Sequence, residues 1–295
     1  MKFDVAVIGG GPAGLSASIF ATRAGLKTIC FERLAVGGQA SLSYDIANYP
    51  GYKNISGIEL TQKMFKQAQE VGTEFVYENV LTINEIKNGF SVKTNKGSYQ
   101  AKKLIIASGT VSRKLGLNEE KYIGKGISYC ASCDGNFFKG KHVAIVGGGD
   151  TAFEYVEYMS RLATKVYLLN RSETFRANSF RVENAKKLKN VKILTNARVA
   201  KLIGEDTLTT IEINHNNQKK KLDVQGLFVA IGHEPQLNFL NFELKTKNGY
   251  IIVDKHMQTS KINVYACGDI IEKHFKQIIT ACADGAIAGN SCIEG

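Results

Sequence analysis

Short apolar runs alternate along this chain with glycine loops and with longer segments of helical period. Residues 3–8 are almost continuously apolar, as expected of a buried strand, and they lead directly into the glycine-rich residues 9–14. A segment of helical period then extends to about residue 23, and a second apolar run covers residues 28–31. This order of strand, loop, helix and strand predicts a βαβ unit with a parallel sheet.

The same pattern returns in the middle of the chain. An apolar run at residues 142–146 meets a second glycine loop at residues 147–152, and a helical segment and another apolar run follow. Gly147 follows Gly9 by 138 residues, and Asn170 follows Glu32 by the same number. The repeat predicts an α/β chain with two Rossmann-like, doubly wound, three-layer nucleotide-binding domains.

The segments between and after these units indicate how the domains are connected. Residues 57–72 have the period of an amphipathic helix, and residues 73–104 alternate with turns as in a β-meander. Residues 261–269 form another predicted strand, which ends in Gly268-Asp269, and the last residues are helical by pattern. We therefore expect the second domain, residues 113–240, to be inserted in a first domain made of residues 1–112 and 241–295.

Both glycine loops have the composition of a dinucleotide-binding loop. Glycines there permit a tight turn and let backbone N–H groups approach a pyrophosphate, and an acid after the second strand accepts a hydrogen bond from a ribose hydroxyl. The first loop has that acid, Glu32, whereas the second has the uncharged Asn170 at the equivalent position. The second unit has therefore lost its signature for NAD.

Two cysteines three positions apart, Cys130 and Cys133, precede Asp134. This spacing suits either a disulfide in a tight turn or one half of a zinc site. The remaining cysteines are scattered and none lies near a spaced histidine, so we predict a redox-active disulfide and no metal. Asp134 is then either a proton donor to a leaving sulfur or a turn residue before Gly135.

Composition narrows the class of protein further. The chain has 295 residues, and no apolar run approaches the ~20 residues of a membrane span, which predicts a soluble, cytoplasmic protein. Six cysteines are too few for a disulfide scaffold in a chain of this length. The net charge of +11 indicates either a solvated basic surface or an acidic protein partner. We find no nucleic-acid recognition motif.

In combination, these motifs resemble the low-molecular-weight thioredoxin reductases over nearly the whole chain. The matching segments are residues 9–14 with Glu32, residues 37–39, residues 48–51, residues 130–135, Gly268-Asp269 and Lys276-Gln277. The resemblance implies a homodimer with FAD in the first domain and the disulfide in the central domain. It also implies that Cys133 lies nearest the flavin, that Cys130 attacks the disulfide of thioredoxin, and that Asp134 donates a proton. The residues that it places against FAD are Gly9, Gly11, Pro12, Ala13, Gly14, Glu32, Gly38, Gln39, Asn48, Gly109, Gly268, Asp269, Lys276 and Gln277.

The sequence departs from this family where NADPH would bind. NADPH-using members carry His-Arg-Arg and a further Arg, whereas this chain has Asn170-Arg171-Ser172 and Arg176. A lost charge-assisted contact costs about 1.5 to 3 kcal/mol, so we expect a weakened NADPH site. The residues of that site are Gly147, Gly149, Ala152, Arg171 and Arg176.

A related group in anaerobic bacteria takes electrons from reduced ferredoxin, an acidic protein. Residues 113–240 hold 20 Lys and Arg against 13 Asp and Glu, which agrees with an acidic donor. The sequence therefore predicts a thioredoxin reductase with a slight preference for reduced ferredoxin over NADPH as donor. The alternatives are a dithiol oxidase acting on a small molecule and a flavin-containing redox sensor.

Overall fold

A computed structural model describes residues 2–43 and 46–294 of the chain. The chain divides into two compact units, of which unit 1 comprises Met1–Val111 and Glu234–Gly295 and unit 2 comprises Ser112–His233. Each unit contains a sheet with parallel strands, one of which leads into a glycine loop: Lys2–Ile8 in unit 1 and His142–Val146 in unit 2. The predicted α/β fold with two Rossmann-like nucleotide-binding units is confirmed.

The first part of the chain builds most of the sheet of unit 1. Its elements are β1 (Lys2–Ile8), α1 (Pro12–Arg23), β2 (Thr28–Glu32), α2 (Gly57–Glu70), β3 (Glu74–Tyr77), β4 (Val80–Ile86), β5 (Gly89–Thr94), β6 (Ser98–Ile106) and β7 (Thr110–Ser112). A 3-10 helix covers Gly38–Leu42. Because β3 pairs in parallel with β2, the predicted meander is confined to β4, β5 and β6, which pair antiparallel.

The middle of the chain builds unit 2. Its elements are β8 (Ile127–Ser128), α3 (Ala131–Asp134), β9 (His142–Val146), α4 (Asp150–Ser160), β10 (Lys165–Leu169), α5 (Ser179–Lys186), β11 (Val191–Leu194), β12 (Ala197–Ile203), β13 (Thr210–His215), β14 (Gln218–Asp223) and β15 (Gly226–Val229). The short strand β16 (His233–Pro235) begins at the last residue of unit 2 and continues into unit 1. The strands β11, β10, β9, β15 and β8 form a parallel sheet in that order. A separate antiparallel sheet contains β12, β13 and β14, and its second hairpin turns at Asn216-Asn217.

The last part of the chain completes unit 1 with β17 (Thr246–Lys247), β18 (Tyr250–Ile251), β19 (Val264–Ala266) and α6 (Ile278–Glu294). The strand β19 pairs in parallel with β6. The chain rejoins unit 1 at Glu234, earlier than the predicted residue 241. The reason is local, since the N–H of Ile83 in β4 donates to the Phe239 carbonyl at 2.7 Å.

The apolar run of β1 is explained by burial on both faces of the sheet. Ala6 and Ile8 belong to one buried cluster, while Val5 and Val7 belong to another that includes residues of α1 and α6. Such two-sided burial is typical of a parallel strand and produces a nearly continuous apolar sequence. Among the described residues, no helix combines the length and apolar character needed to cross a bilayer.

Two glycines of α6 let it pack directly on the backbone of α1. A Cβ atom on Gly285 would clash with the Ala13 carbonyl oxygen, and one on Gly289 would lie 2.5 Å from the Ala17 oxygen. A carbon and an oxygen atom cannot approach each other so closely, so only glycine at these two positions allows the helices to pack in this way. The contact fixes α1, which begins at the first glycine loop.

Candidate functional site

The first glycine loop has the close backbone contacts of a dinucleotide-binding turn. Gly9 has a φ of 109°, and a Cβ atom on it would lie 2.5 Å from the Ala107 carbonyl oxygen. A Cβ atom on Gly14 would clash with the Gly9 oxygen. Both glycines are therefore required by the turn and by the packing of α1 on β1.

The end of β2 places an acid beside this loop. Glu32 Oε2 accepts a hydrogen bond from the Gly10 N–H at 2.9 Å, and Oε1 accepts one from the Leu34 N–H at 3.0 Å. The carboxylate is therefore held at the strand end, where an acid of this fold accepts from a ribose hydroxyl.

In the described chain Ser108 Oγ, on the segment after β6, is buried without a hydrogen-bond partner.

Helix α1 begins at the loop with its backbone N–H groups available. Its N-cap residue is Gly11, no side chain caps it, and its first turn holds Pro12 and no acid. The partial positive charge of such a helix end favours a phosphate. A Cβ atom on Gly38 would lie 3.3 Å from Gly11 Cα, so the 3-10 helix approaches this end of α1 closely.

Several other residues predicted to contact a flavin lie together in unit 1. Asn48 Nδ2 donates to Gln277 Oε1 at 2.9 Å, and Lys276 Nζ donates to the Asp269 carbonyl at 3.0 Å. A Cβ atom on Gly268 would lie 2.7 Å from Ala13 Cβ, which places this turn beside the start of α1. Burial of the Lys276 side chain lowers its pKa.

The remaining two predicted positions, Gln39 and Gly109, both lie at the start of β7. Gln39 Nε2 donates to the Thr110 carbonyl at 2.6 Å, which joins the 3-10 helix to β7. Gly109 has a φ of 63° and open space where a Cβ atom would project. The predicted flavin contacts thus come from separate parts of the sequence and are connected within unit 1.

An ion pair that the sequence analysis missed supports the Gly268 turn. Asp284 Oδ2, on α6, accepts from the Gly268 N–H at 3.2 Å and from Lys273 Nζ at 2.5 Å. Both side chains of the pair are only 14% exposed. The sequence signal was an acid in the middle of a helix made mostly of apolar and small residues, where an unpaired buried charge would be costly.

The second glycine loop repeats the geometry of the first in unit 2. Gly147 has a φ of 152°, and a Cβ atom on it would clash with the Ala230 carbonyl oxygen, as one on Gly9 would with Ala107. Gly149 is the N-cap of α4 and no side chain caps this helix. Ala152, equivalent to Gly14, is buried in the first turn of α4.

Asn170 closes the loop that follows β10 instead of presenting an acid. Its Nδ2 donates to the carbonyls of Ser172 at 2.8 Å and Thr174 at 2.9 Å. The N–H groups of Arg176 and Ala177 donate to the Gly148 carbonyl at 2.8 and 3.1 Å. The loop is thus fixed against the glycine turn by its own backbone.

The two arginines retained at this loop are both exposed. In the part of the chain that the structure describes, neither the Arg171 nor the Arg176 guanidinium has an ion-pair or hydrogen-bond partner. Arg181 differs, because Glu154 lies 2.9 Å from it and Asp150 lies 3.8 Å from it. Arg171 and Arg176 are therefore the cations of this loop that can receive an anion.

The predicted disulfide joins Cys130 to Cys133 at the start of α3. The Cys133 N–H donates to Cys130 Sγ at 3.2 Å, and the Asp134 N–H donates to the Cys130 carbonyl at 3.2 Å. Cys130 and Asp134 are half-buried, whereas Cys133 is exposed. The disulfide therefore has a backbone N–H donor directed at Sγ of the half-buried Cys130.

Three of the remaining cysteines, Cys30, Cys267 and Cys292, are buried thiols that form no disulfide. Burial raises the pKa of Cys30 and of Cys292 to about 12 and also raises the pKa of Cys267. These thiols stay protonated and are poor nucleophiles at neutral pH. Across residues 2–43 and 46–294 there is no group of three or more His, Cys, Asp or Glu that could hold a metal ion.

Two nucleotide-binding units and a disulfide within the second define the class of protein as a flavin-dependent disulfide oxidoreductase. The family model described as pyridine nucleotide-disulphide oxidoreductase matches residues 3–285. The chain belongs to this family and, within it, to the thioredoxin reductases. The family uses FAD, and the uncapped start of α1, the two required glycines and the oriented Glu32 fit that cofactor.

Individual relatives agree over nearly the full chain. It is 38% identical over 293 residues to a thioredoxin reductase of Treponema pallidum, covering 98% of this chain and 95% of that one. It is also 38% identical over 294 residues to a thioredoxin reductase of Bacillus subtilis, covering 98% and 93%. A crystal structure of Lactococcus lactis thioredoxin reductase (FR conformation) is 33% identical, with a TM-score of 0.93 and coverage of 99% and 98%.

Proposed function

We propose that this thioredoxin reductase acts on its substrate through Cys130, with Cys133 as the resolving thiol and Asp134 as the proton donor. The observation that carries the proposal is the Cys130–Cys133 disulfide at the start of α3, with an N–H donor directed at Cys130 Sγ. FAD bound in unit 1 supplies the two electrons that convert this disulfide to a dithiol.

The exchange proceeds in two balanced steps. The Cys130 thiolate attacks one sulfur of the thioredoxin disulfide, that S–S bond breaks, and the released sulfur takes a proton from Asp134. The Asp134 carboxylate left by this step takes the proton of the Cys133 thiol, the Cys133 sulfur attacks Cys130 Sγ to reform the Cys130–Cys133 disulfide, and Asp134 passes that proton to the second thioredoxin sulfur as it leaves. Thioredoxin gains two electrons and two protons, and the enzyme loses the same.

Two cysteine variants test these roles. Reduced Cys133→Ser should form a covalent mixed disulfide with thioredoxin activated by a thionitrobenzoate group, because no resolving thiol remains. Cys130→Ser should form none and should lose thioredoxin reduction, while Cys282→Ser should behave as the wild type. A stable adduct on Cys133 in the Cys130→Ser variant would show that the two roles are reversed.

We propose NADPH as the electron donor at the second glycine loop. The geometry of Gly147 and the exposed guanidiniums of Arg171 and Arg176 support this proposal, since together they offer a phosphate-binding loop and two cations. Reduced ferredoxin is the second candidate. It is favoured by Ser172, which leaves the loop one cation short, and by the excess of positive charge at residues 113–240.

An anaerobic titration of the flavin absorbance discriminates between the two donors. Bleaching by one equivalent of NADPH at micromolar concentration would support the nucleotide. Bleaching only by reduced ferredoxin, with NADPH inactive at millimolar concentration, would support the second candidate. The homodimer implied by the family resemblance also remains a prediction, and sedimentation equilibrium of the holoenzyme tests it.

A further inference from the structure

The residue before the disulfide, Tyr129, is held at both its side chain and its backbone. Its hydroxyl donates to Glu119 Oε1 at 3.1 Å, and its carbonyl accepts from the Tyr155 hydroxyl at 2.8 Å. Tyr129 lies between β8 and Cys130, so these two bonds act on the backbone that leads directly into the reactive cysteine. All of these residues belong to unit 2.

Glu119 is a firmly held anchor. It is only 1% exposed, and its carboxylate also accepts from the Leu115 N–H and from the Leu117 N–H, the latter at 2.9 Å. Burial alone would raise its pKa, but these N–H groups and the Tyr129 hydroxyl hold the pKa of Glu119 below its usual value. A buried carboxylate with several donors is costly to displace, and it therefore gives Tyr129 a fixed partner.

Tyr155 provides the second anchor from α4, the helix that begins at the second glycine loop. Its side chain is half-buried, and its ring lies 6.4 Å from that of the buried Phe228. Ser128 adds a shorter-range restraint, because its Oγ accepts from the Cys130 N–H at 3.0 Å and donates to the Cys130 carbonyl at 3.1 Å. The backbone on the N-terminal side of Cys130 is thus restrained from three directions.

We propose that Glu119 and Tyr155 are positioning residues that fix Cys130 against Cys133 through Tyr129. In this proposal both act through Tyr129 and not directly on the sulfur atoms. Their effect is on how often the two thiols of the reduced enzyme lie within bonding distance. The part of the proposal that concerns thioredoxin turnover rests on the exchange role given to Cys130 above, whereas the part that concerns the disulfide itself does not.

The physical reason is the effective concentration of one thiol at the other. A backbone held in place keeps Cys130 near Cys133 when the bond is broken, and this favours reformation of the disulfide. Loss of one anchor increases the freedom of Tyr129 and Cys130 in the dithiol state. The equilibrium between disulfide and dithiol should then shift toward the dithiol by about threefold to tenfold, as expected for loss of one hydrogen bond.

The chain offers a closely matched control for this experiment. The Tyr122 hydroxyl donates to the Gly204 carbonyl at 2.8 Å, so Tyr122→Phe removes the same kind of bond, at the same length, in the same unit. Tyr155→Phe and Tyr122→Phe should therefore reduce the urea midpoint similarly. Only Tyr155→Phe and Tyr129→Phe should shift the disulfide equilibrium, measured on holoenzyme in glutathione buffers by alkylation and mass spectrometry.

Each outcome bears on the proposal. A shift in Tyr155→Phe and Tyr129→Phe but not in Tyr122→Phe supports it, and a double variant with less than the sum of the two shifts supports a shared action through Tyr129. Equal equilibria in all four proteins would overturn it and leave the two bonds with a role in stability alone.

A turnover measurement separates this inference from the proposed function. In Tyr155→Phe, kcat with thioredoxin should fall severalfold while the KM for thioredoxin stays unchanged, because the substrate surface is intact. If the equilibrium shifts but thioredoxin turnover does not, the positioning of the disulfide stands and the exchange role of Cys130 fails. If neither changes, the positioning itself fails.

Discussion

The Gly10 N–H donates to Glu32 Oε2 at 2.9 Å, so the acid at the end of β2 is oriented by the glycine loop itself. At the equivalent place in unit 2, a Cβ atom on Gly148 would clash with Asn170 Oδ1, and the Asn170 amide bonds to its own loop instead. The two loops share their turn and differ in what the strand end presents. Unit 1 presents a carboxylate, whereas unit 2 presents a closed loop with two arginines.

Replacement of Glu32 should weaken FAD binding. Glu32→Ala removes a charged acceptor, so the dissociation constant for FAD should rise about tenfold to a hundredfold, as expected for about 1.5 to 3 kcal/mol. Titration of apoprotein with FAD, followed by flavin fluorescence, measures this. Glu78→Gln is the control, because Glu78 accepts from Thr94 and Tyr99 within the same unit and has no expected ligand role. Equal affinity in Glu32→Ala and wild type would contradict the prediction.

Restoring the missing cation should strengthen NADPH binding. Ser172→Arg adds a guanidinium beside Arg171 on the exposed loop, and a charge-assisted contact to the 2′-phosphate should lower the dissociation constant about tenfold. The gain should shrink as salt is raised and should be absent for NADH, which lacks that phosphate. Ser98→Arg adds the same charge at the exposed start of β6 in unit 1 and should change neither constant. An equal gain in affinity for NADH would contradict the prediction, because it would show that the added charge acts without contacting the 2′-phosphate.

A methyl group between α1 and α6 should destabilise unit 1. In Gly289→Ala the new Cβ atom would meet the Ala17 carbonyl oxygen at 2.5 Å and Phe20 Cβ at 3.0 Å. The helices must separate, at a cost of about 1 to 3 kcal/mol in unfolding free energy, although alanine otherwise favours a helix. Urea unfolding followed by circular dichroism measures it. Asn290→Ala, on the exposed side of α6, should be neutral or slightly stabilising, and a neutral Gly289→Ala would contradict the steric argument.

The stability that Glu119 contributes should depend on pH. Its pKa in the folded chain lies below the usual 4.5, so the unfolded chain takes up the proton first as pH falls. The contribution is therefore complete above about pH 4.5 and is lost as pH decreases through the folded-state value. Glu119→Gln should lower the urea midpoint at pH 7, and its gap from wild type should narrow at pH 4.

A surface acid provides the control for that experiment. The pKa of Glu183 is also lowered, by a hydrogen bond from Lys186, but both side chains are exposed. Glu183→Gln should therefore have little effect at either pH, since exposed pairs contribute little to stability. A gap between Glu119→Gln and wild type that stayed constant from pH 7 to pH 4 would refute the role given to the Glu119 charge.

Alkylation should separate the thiols by burial. After mild reduction at pH 8, iodoacetamide should label Cys130 and Cys133 within minutes in the folded protein. Cys30, Cys267 and Cys292 should stay unlabelled until urea is added, because they are buried and burial raises their pKa. Peptide mass spectrometry identifies the labelled positions. Rapid labelling of Cys267 in the folded protein would contradict the structure of this core.

Periodicity and glycine spacing predicted most of the fold. The offset of 138 residues between Gly9 and Gly147 predicted two similar sheets, and in the structure each glycine lies against the carbonyl that follows an equivalent strand. The return to unit 1 was predicted too late. The segment before residue 241 has no periodicity that assigns it to either sheet, whereas in the folded chain Ile83 of β4 bonds to the backbone of Phe239 and Asn241.

The site residues that belong to sequence motifs were predicted. The residues that support them from distant parts of the sequence were not. The spacing of Cys130 and Cys133 predicts their role. Glu119, in contrast, lies in an Asn-Glu-Glu segment that is typical of a solvated turn. Its burial depends on backbone N–H groups that converge only in the folded chain. Tyr155 likewise has the pattern of a helix residue and gives no sequence signal of its contact with Tyr129.

Because unit 2 is inserted in unit 1, the strands of the unit 1 sheet are synthesised in two separate stages. The nascent chain presents all of Ser112–His233 before β19 and α6 emerge. Unit 2 can therefore fold while β6 lacks a neighbouring strand and while α1 lacks the helix that its backbone is shaped to receive. The sheet of unit 1 is therefore completed by strands that lie on both sides of unit 2 in the sequence.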